Sequence, residues 1–174
     1  MIWTRIRAID RRGLSFAARF LAFLLLLGAI FEGVPSLFQQ LYMLPVAHVC
    51  AALLNLLGLE AALDTTGLTE GFCELLLGRI IYRVTFDCTG IFALLVFAAL
   101  TLAFPATWRA RASGLALGVP AIFAFSVLRI GVLGIVAHVR PAWIALFHVY
   151  VMELATLGFM LFIWQYWLGQ VREG

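Results

Sequence analysis

The sequence predicts an all-α integral membrane helical bundle with about four full spans, an outer interfacial or re-entrant helix and a small extracytoplasmic β-hairpin. Three observations lead there. Of 174 residues, 64% are apolar and only 12% are Asp, Glu, Lys or Arg, where an ordinary soluble domain carries roughly a quarter charged; such a chain cannot coat a soluble globule. Apolar runs recur at about the 20-residue length that crosses roughly 30 Å of hydrocarbon. The hydrophilic breaks between them are short, and arginines gather in them and at the N-terminus.

Composition also excludes several function classes. The formal charge of +3 is dispersed: Arg5, Arg7, Arg11, Arg12 and Arg19 crowd the N-terminus, while Arg109 and Arg111 occupy one break. They read as topology signals, and no nucleic-acid partner is expected. Cys50, Cys73 and Cys88 form no CxxC pair and no zinc-like cluster with histidine, and an odd count leaves at least one thiol free within a monomer.

The first span runs from Leu14 to Val34, with Arg19 near its cytoplasmic end. Basic residues before an apolar run also describe a signal peptide, but this run is long and has no clean small-x-small site before Glu32, so it reads as a retained anchor. Leu41–Leu63 is apolar but carries His48, Asn55 and Glu60, with Pro45 in its first turn. His48 and Asn55, seven apart, share one helix face. Residues 64–87 change character: Asp64-Thr65-Thr66-Gly67 is turn-like, and Ile80, Tyr82, Val84 and Phe86 alternate with Ile81, Arg83, Thr85 and Asp87, the pattern of a strand in a hairpin around Gly78. Cys88–Phe104 is a short span ended by Pro105, Ser113–Val139 the next, and Ala142–Leu168 the last, closing on the interfacial aromatics Trp164, Tyr166 and Trp167.

The short basic flanks place the N-terminus (residues 1–13), Arg109, Arg111 and Arg172 in the cytoplasm, and His138 with Arg140 outside. The chain must then be outside both after its first span and at Cys88. Leu41–Leu63 therefore lies along the outer surface or dips and returns; five or six full spans is the alternative map.

This orientation puts three chemically capable residues in the outer half of the bundle. Counting from the outer loop, Arg129 lies roughly 12 to 15 Å down its helix and His148 roughly 9 Å down the next; Cys88 stands at the mouth. A buried arginine costs at least about 2.5 to 3.5 kcal/mol on insertion scales, so Arg129 either faces a polar cavity or pairs with Glu153 or backbone carbonyls. Cys88 is either a small packing residue or a thiol whose thiolate is stabilised by free N–H groups of a first helical turn. With His148 as base, Cys88 can attack a carbonyl whose developing oxyanion Arg129 stabilises. Cys50, Cys73, His48 and His138 read as packing or surface residues. Gly114 and Gly118 form a GxxxG spacing suited to close helix contact.

Asp87-Cys88-Thr89-Gly90-Ile91, Phe104-Pro105-Ala106-Thr107-Trp108-Arg109, Ser126-Val127-Leu128-Arg129-Ile130 and Phe147-His148-Val149-Tyr150, in that order, resemble the exosortase and archaeosortase family of membrane-embedded processing enzymes. The resemblance covers about Leu41 to Leu168 and implies one exosortase-like domain over residues 1–174, with residues 64–87 as its extracytoplasmic hairpin. It implies a membrane cysteine transpeptidase or endopeptidase with Cys88 as nucleophile, Arg129 as electrostatic clamp and His148 as base and acid. The implied substrates are exported proteins with a C-terminal sorting signal: a short motif, a transmembrane helix and a basic tail. Water or an acceptor, lipid- or glycan-linked, completes the reaction, with no metal or organic cofactor, in a prokaryotic plasma membrane. One departure stands out: Ser126 occupies the place where the family pattern has asparagine, and serine offers fewer polar atoms than an amide. Two other readings compete, a small anion or proton-coupled transporter built on Arg129 and His148, and a non-catalytic membrane assembly or chaperone subunit.

Overall fold

The computed structural model describes residues 2–78 and 80–173, and side chains within 11–78 and 80–172; the side chains of Arg5 and Arg7 lie outside the described residues. Helix α1 (Ile2–Gly33) is followed by α2 (Pro35–Leu56), a three-stranded sheet of β1 (Ala61–Asp64), β2 (Phe72–Leu77) and β3 (Ile80–Thr85), then α3 (Ile91–Ala103), α4 (Trp108–Val139) and α5 (Pro141–Arg172). α1 from Arg11, α2, α4 and α5 are long and apolar enough to cross a membrane, whereas α3 is shorter. The chain is a multi-pass membrane protein.

Side-chain pairs along the helices set their directions. Phe16 meets Phe104 and Phe31 meets Phe92, so α1 and α3 are antiparallel. Gly118 of α4 receives the Phe97 ring and Gly114 abuts Thr101, so α3 and α4 are antiparallel. Trp167 donates its indole N–H to the Ala110 carbonyl while Thr156 meets Arg129, so α4 and α5 are antiparallel. Arg11, the Phe104–Trp108 break and Arg172 consequently gather at one end of the bundle, the basic end, and the sheet lies at the other.

The helix expected to lie flat or re-enter stands upright. Tyr42 of α2 sits against Ser126, Cys50 beside Gly131 and Leu54 beside Gly134, so α2 runs parallel to the second half of α4. It continues the direction of α1 after a break at Val34-Pro35, where proline removes a backbone donor and starts a new helix. Its buried face, including Met43, Val46, Ala47, Cys50 and Leu54, is covered by α4 and the sheet. That coverage by α4 and the sheet, rather than by an interface, decides the posture. His48 and Asn55 occupy the opposite, exposed side as their spacing predicts. Asn55 ends the helix by clasping Ala61, its amide donating to the Ala61 carbonyl and its oxygen accepting from the Ala61 N–H, both at 2.8 Å.

The expected hairpin is present with one further strand: β1 pairs with β2, and β2 with β3, all antiparallel. Alternation holds, with Tyr82 and Val84 buried and Ile81 and Arg83 exposed. Leu77 reaches Gly134, where an added Cβ would lie 3.0 Å from it. Glycine at 134 thus admits the sheet against α4.

The GxxxG spacing works as expected. A Cβ at Gly118 would come within 2.1 Å of the fully buried Phe97 ring, and one at Gly114 within 2.7 Å of Trp167. Trp167, expected at the membrane interface, is completely buried among side chains at the basic end of the bundle. The space above Gly114 and the Ala110 carbonyl satisfy both its ring and its N–H; only Tyr166 of the neighbouring aromatics is well exposed.

Candidate active site

Cys88 does not start the span that follows it. It lies on a separate single turn, Phe86–Thr89, closed by Gly90 at φ +70°, after which α3 begins. Glycine is favoured there because a side chain is strained at positive φ; here the space is also taken, since a Cβ would stand 2.8 Å from Ser126 Oγ. The Thr89 hydroxyl donates to the Phe86 carbonyl at 2.8 Å and fastens the turn. The expected first-turn N–H groups therefore give way to side-chain partners around the sulfur.

Those partners come from distant parts of the chain. His148 Nε2 lies 3.3 Å from Cys88 Sγ. The Tyr82 hydroxyl donates to Sγ at 3.6 Å, the Thr85 hydroxyl stands at the same distance, and the Arg83 carbonyl is 4.0 Å away. Cys88 is only 4% exposed and His148 is half-buried. A thiol and an imidazole at this separation can exchange a proton directly. Cys73, also buried on β2, donates weakly to the Val84 carbonyl, and burial pushes its thiol up to about 11. Burial likewise pushes the Tyr82 phenol well above the ordinary phenol range, and the neighbouring Cys88 adds to that shift. The hydroxyl facing the sulfur keeps its proton at neutral pH.

Two π turns supply residues to this region. Gln39–Met43 carries Tyr42, and Phe147–Val151 carries His148. Such insertions widen the helix locally and re-aim a side chain that regular 3.6-residue geometry would direct elsewhere. No sequence pattern announced either one.

Arg129 is the third residue of the expected set, and it is 1% exposed. Nη1 donates to Thr156 Oγ1 at 3.2 Å and Nη2 donates to the Glu153 carboxylate. Thr156 in turn donates to the Met152 carbonyl. Arg129, Glu153 and Thr156 line a cleft of about 410 Å³ whose wall also includes Asp87 and Gly90, the two neighbours of the Cys88-Thr89 pair. Cys88 and His148 are thus in direct contact, while Arg129 faces the adjoining cleft on its own hydrogen bonds. The pairing with Glu153, one of the alternatives open from the sequence, is present.

Ser126 is buried behind the turn. Its hydroxyl donates to the Ile122 carbonyl at 2.7 Å and lies 3.2 Å from the Tyr42 hydroxyl. At the position where the resemblance pattern has asparagine, a tyrosine from another helix brings a second polar group. Tyr82, Thr85, Thr156 and Tyr42 escaped the sequence reading. Tyr82 alone had a signal, the side it shares with Val84 in the strand alternation, and nothing in that pattern says that the chain turns back over it.

The fold and site define a multi-pass membrane protein with a buried thiol in contact with a half-buried imidazole, beside a cleft that holds a buried guanidinium. The transmembrane exosortase family model matches residues 7–164, and the chain belongs to that family. No curated protein and no solved structure matches the chain significantly.

Proposed function

We propose that this exosortase is a cysteine endopeptidase or transpeptidase that cleaves the C-terminal sorting segment of exported proteins, a segment made of a short motif, a transmembrane helix and a basic tail. The 3.3 Å approach of Cys88 Sγ to His148 Nε2 carries the reading. Their separation of 60 positions in the chain makes a purely local packing origin for the contact inadequate. Nη groups of Arg129 beside the same turn favour a carbonyl in the cleft.

In this reading His148 takes the Cys88 proton and the thiolate attacks the scissile carbonyl. The tetrahedral intermediate carries its negative charge on the former carbonyl oxygen, in the field of Arg129. Collapse expels the amine of the tail peptide, which leaves with the proton from His148, and a thioester remains on Cys88. Water or an acceptor amine, lipid- or glycan-linked, releases the product. Cys88 faces the extracytoplasmic side of a prokaryotic plasma membrane, the inner one where there are two, because the arginines at the basic end resist translocation. The substrate helix stays in lipid while its cleavage motif reaches the cleft that Arg129, Glu153 and Thr156 line.

A second reading concerns Arg129 alone: the Glu153 and Thr156 bonds favour a structural role for its guanidinium. The test of the main proposal is co-expression with a tripartite-tail protein from the same genome. C88A at unchanged membrane abundance abolishes cleavage, and the native protein traps a thioester. Continued cleavage by C88A removes the proposal and leaves transport or assembly roles. A membrane-impermeant thiol reagent labels Cys88 from outside; labelling only from the cytoplasm reverses the orientation.

A further inference from the structure

We infer that Tyr82 is a further catalytic residue, whose hydroxyl holds the Cys88 sulfur as a thiolate between proton removal by His148 and attack. The inference rests on Cys88 being the nucleophile.

Four observations meet at this hydroxyl. It donates to Sγ at 3.6 Å, and among the described residues Sγ is its hydrogen-bond partner. The residue is 7% exposed, so water does not readily replace that partner. Its position is set by backbone pairing, with Tyr82 opposite Leu75 in the β2–β3 register. The next residues of the same strand lead into the Phe86–Thr89 turn, which folds the thiol back over the ring. A phenylalanine would fill the same apolar volume between sheet and helices; the hydroxyl adds only the bond to sulfur.

Chemically the bond suits the charged sulfur better than the neutral one. A thiol is a weak acceptor, whereas a thiolate draws a charge-assisted hydrogen bond, the stronger class. The Sγ proton moves to His148 Nε2, and the sulfur keeps its electron pair under the O–H of Tyr82, with the Thr85 hydroxyl on the same atom. On attack that pair forms the S–C bond, the carbonyl π pair moves to oxygen, and Tyr82 retains its proton throughout. Other groups near the sulfur are the Arg83 carbonyl, which cannot donate, and the buried Cys73 thiol. The sheet thereby gains a role beyond covering the bundle: it anchors a donor to the reacting atom.

The test is alkylation by iodoacetamide of the full-length protein in detergent, with adduct counted on the Cys88 peptide by mass spectrometry. Y82F alkylates about tenfold more slowly than native near neutral pH, and the two rates converge as alkaline pH ionises the thiol without help. Cleavage of a tripartite-tail client falls by a similar factor. Fluorotyrosine at position 82, a stronger donor of nearly the same size, raises the neutral-pH rate and covers the case in which Y82F accumulates poorly. Equal rate profiles for native, Y82F and fluorotyrosine proteins overturn the inference, as does a uniform slowing at every pH, which marks altered packing. Client cleavage by C88A separately overturns the nucleophile reading without deciding what Tyr82 does to the thiol.

Discussion

Replacing Glu153 by glutamine separates the electrostatic role of Arg129 from its place in the fold. Two unit charges about 4 Å apart attract by about 4 kcal/mol at an effective dielectric near 20. The guanidinium is 1% exposed but the carboxylate is 51% exposed, so water screens one side of the pair. That screening lowers the expected loss to about 1–2 kcal/mol, above an exposed surface pair and below a buried one. The glutamine oxygen still accepts from Nη2, and Thr156 still accepts from Nη1. E153Q therefore unfolds at lower temperature in detergent but accumulates. R129M is the companion: an apolar chain of similar length removes the buried charge, and the carboxylate it leaves behind is 51% exposed and returns to water rather than staying buried unpaired. R129M accumulates normally, unfolds within about 1 kcal/mol of the native protein, and processes no client. A destabilised R129M that still cleaves refutes the electrostatic role and leaves Arg129 as a structural partner of Glu153. An E153Q protein with unaltered unfolding refutes the energetic reasoning for the pair.

H148Q keeps the fold and lowers client cleavage by about 10²–10⁴-fold, the usual worth of a positioned base; cleavage within a few-fold of native at equal membrane abundance counts against His148. G118A drives a methyl into the Phe97 ring, 2.1 Å away in the unrelaxed structure, and destabilises by about 1–3 kcal/mol through overpacking; an unchanged unfolding midpoint in detergent contradicts the packing described. Stability also falls at alkaline pH. The Cys73 thiol moves from 9.0 to about 11 on burial, so its contribution is complete below about 9 and is lost as pH rises toward 11. Thermal scans across that range show a shallower decline for C73A than for native; parallel declines exclude Cys73 as a source.

Much of the bundle was legible because a bilayer leaves few choices. Apolar runs ended by Pro105 and by the Arg109–Arg111 break could only be helices, and the alternation from Ile80 to Phe86 put Tyr82 and Val84 on one side, the side the structure buries. The posture of α2 was not legible. Counting basic flanks assigns sides to chain segments but cannot tell an upright helix continuing α1 from one lying in the interface; the difference lies in which surface covers Met43, Cys50 and Leu54, and that surface belongs to α4 and the sheet. For the same reason the burial of Trp167 was not legible. Its composition suits an interface, and only the glycine opposite it reveals a slot.

For the site, residue types and topology offered Cys88, Arg129 and His148 as candidates with packing readings still open, and only the ordered motifs, through the family resemblance, gave them roles. Contact was decided by tertiary structure. A positive-φ glycine ends the turn that carries the thiol, a π turn in α5 aims the imidazole at it, and a strand register brings the Tyr82 hydroxyl to the same sulfur. Each depends on backbone geometry a few residues long combined with packing across the whole bundle. Local sequence encodes which groups are available, while distances of 3.3 and 3.6 Å between residues on different elements exist only once the helices and the sheet have closed on one another.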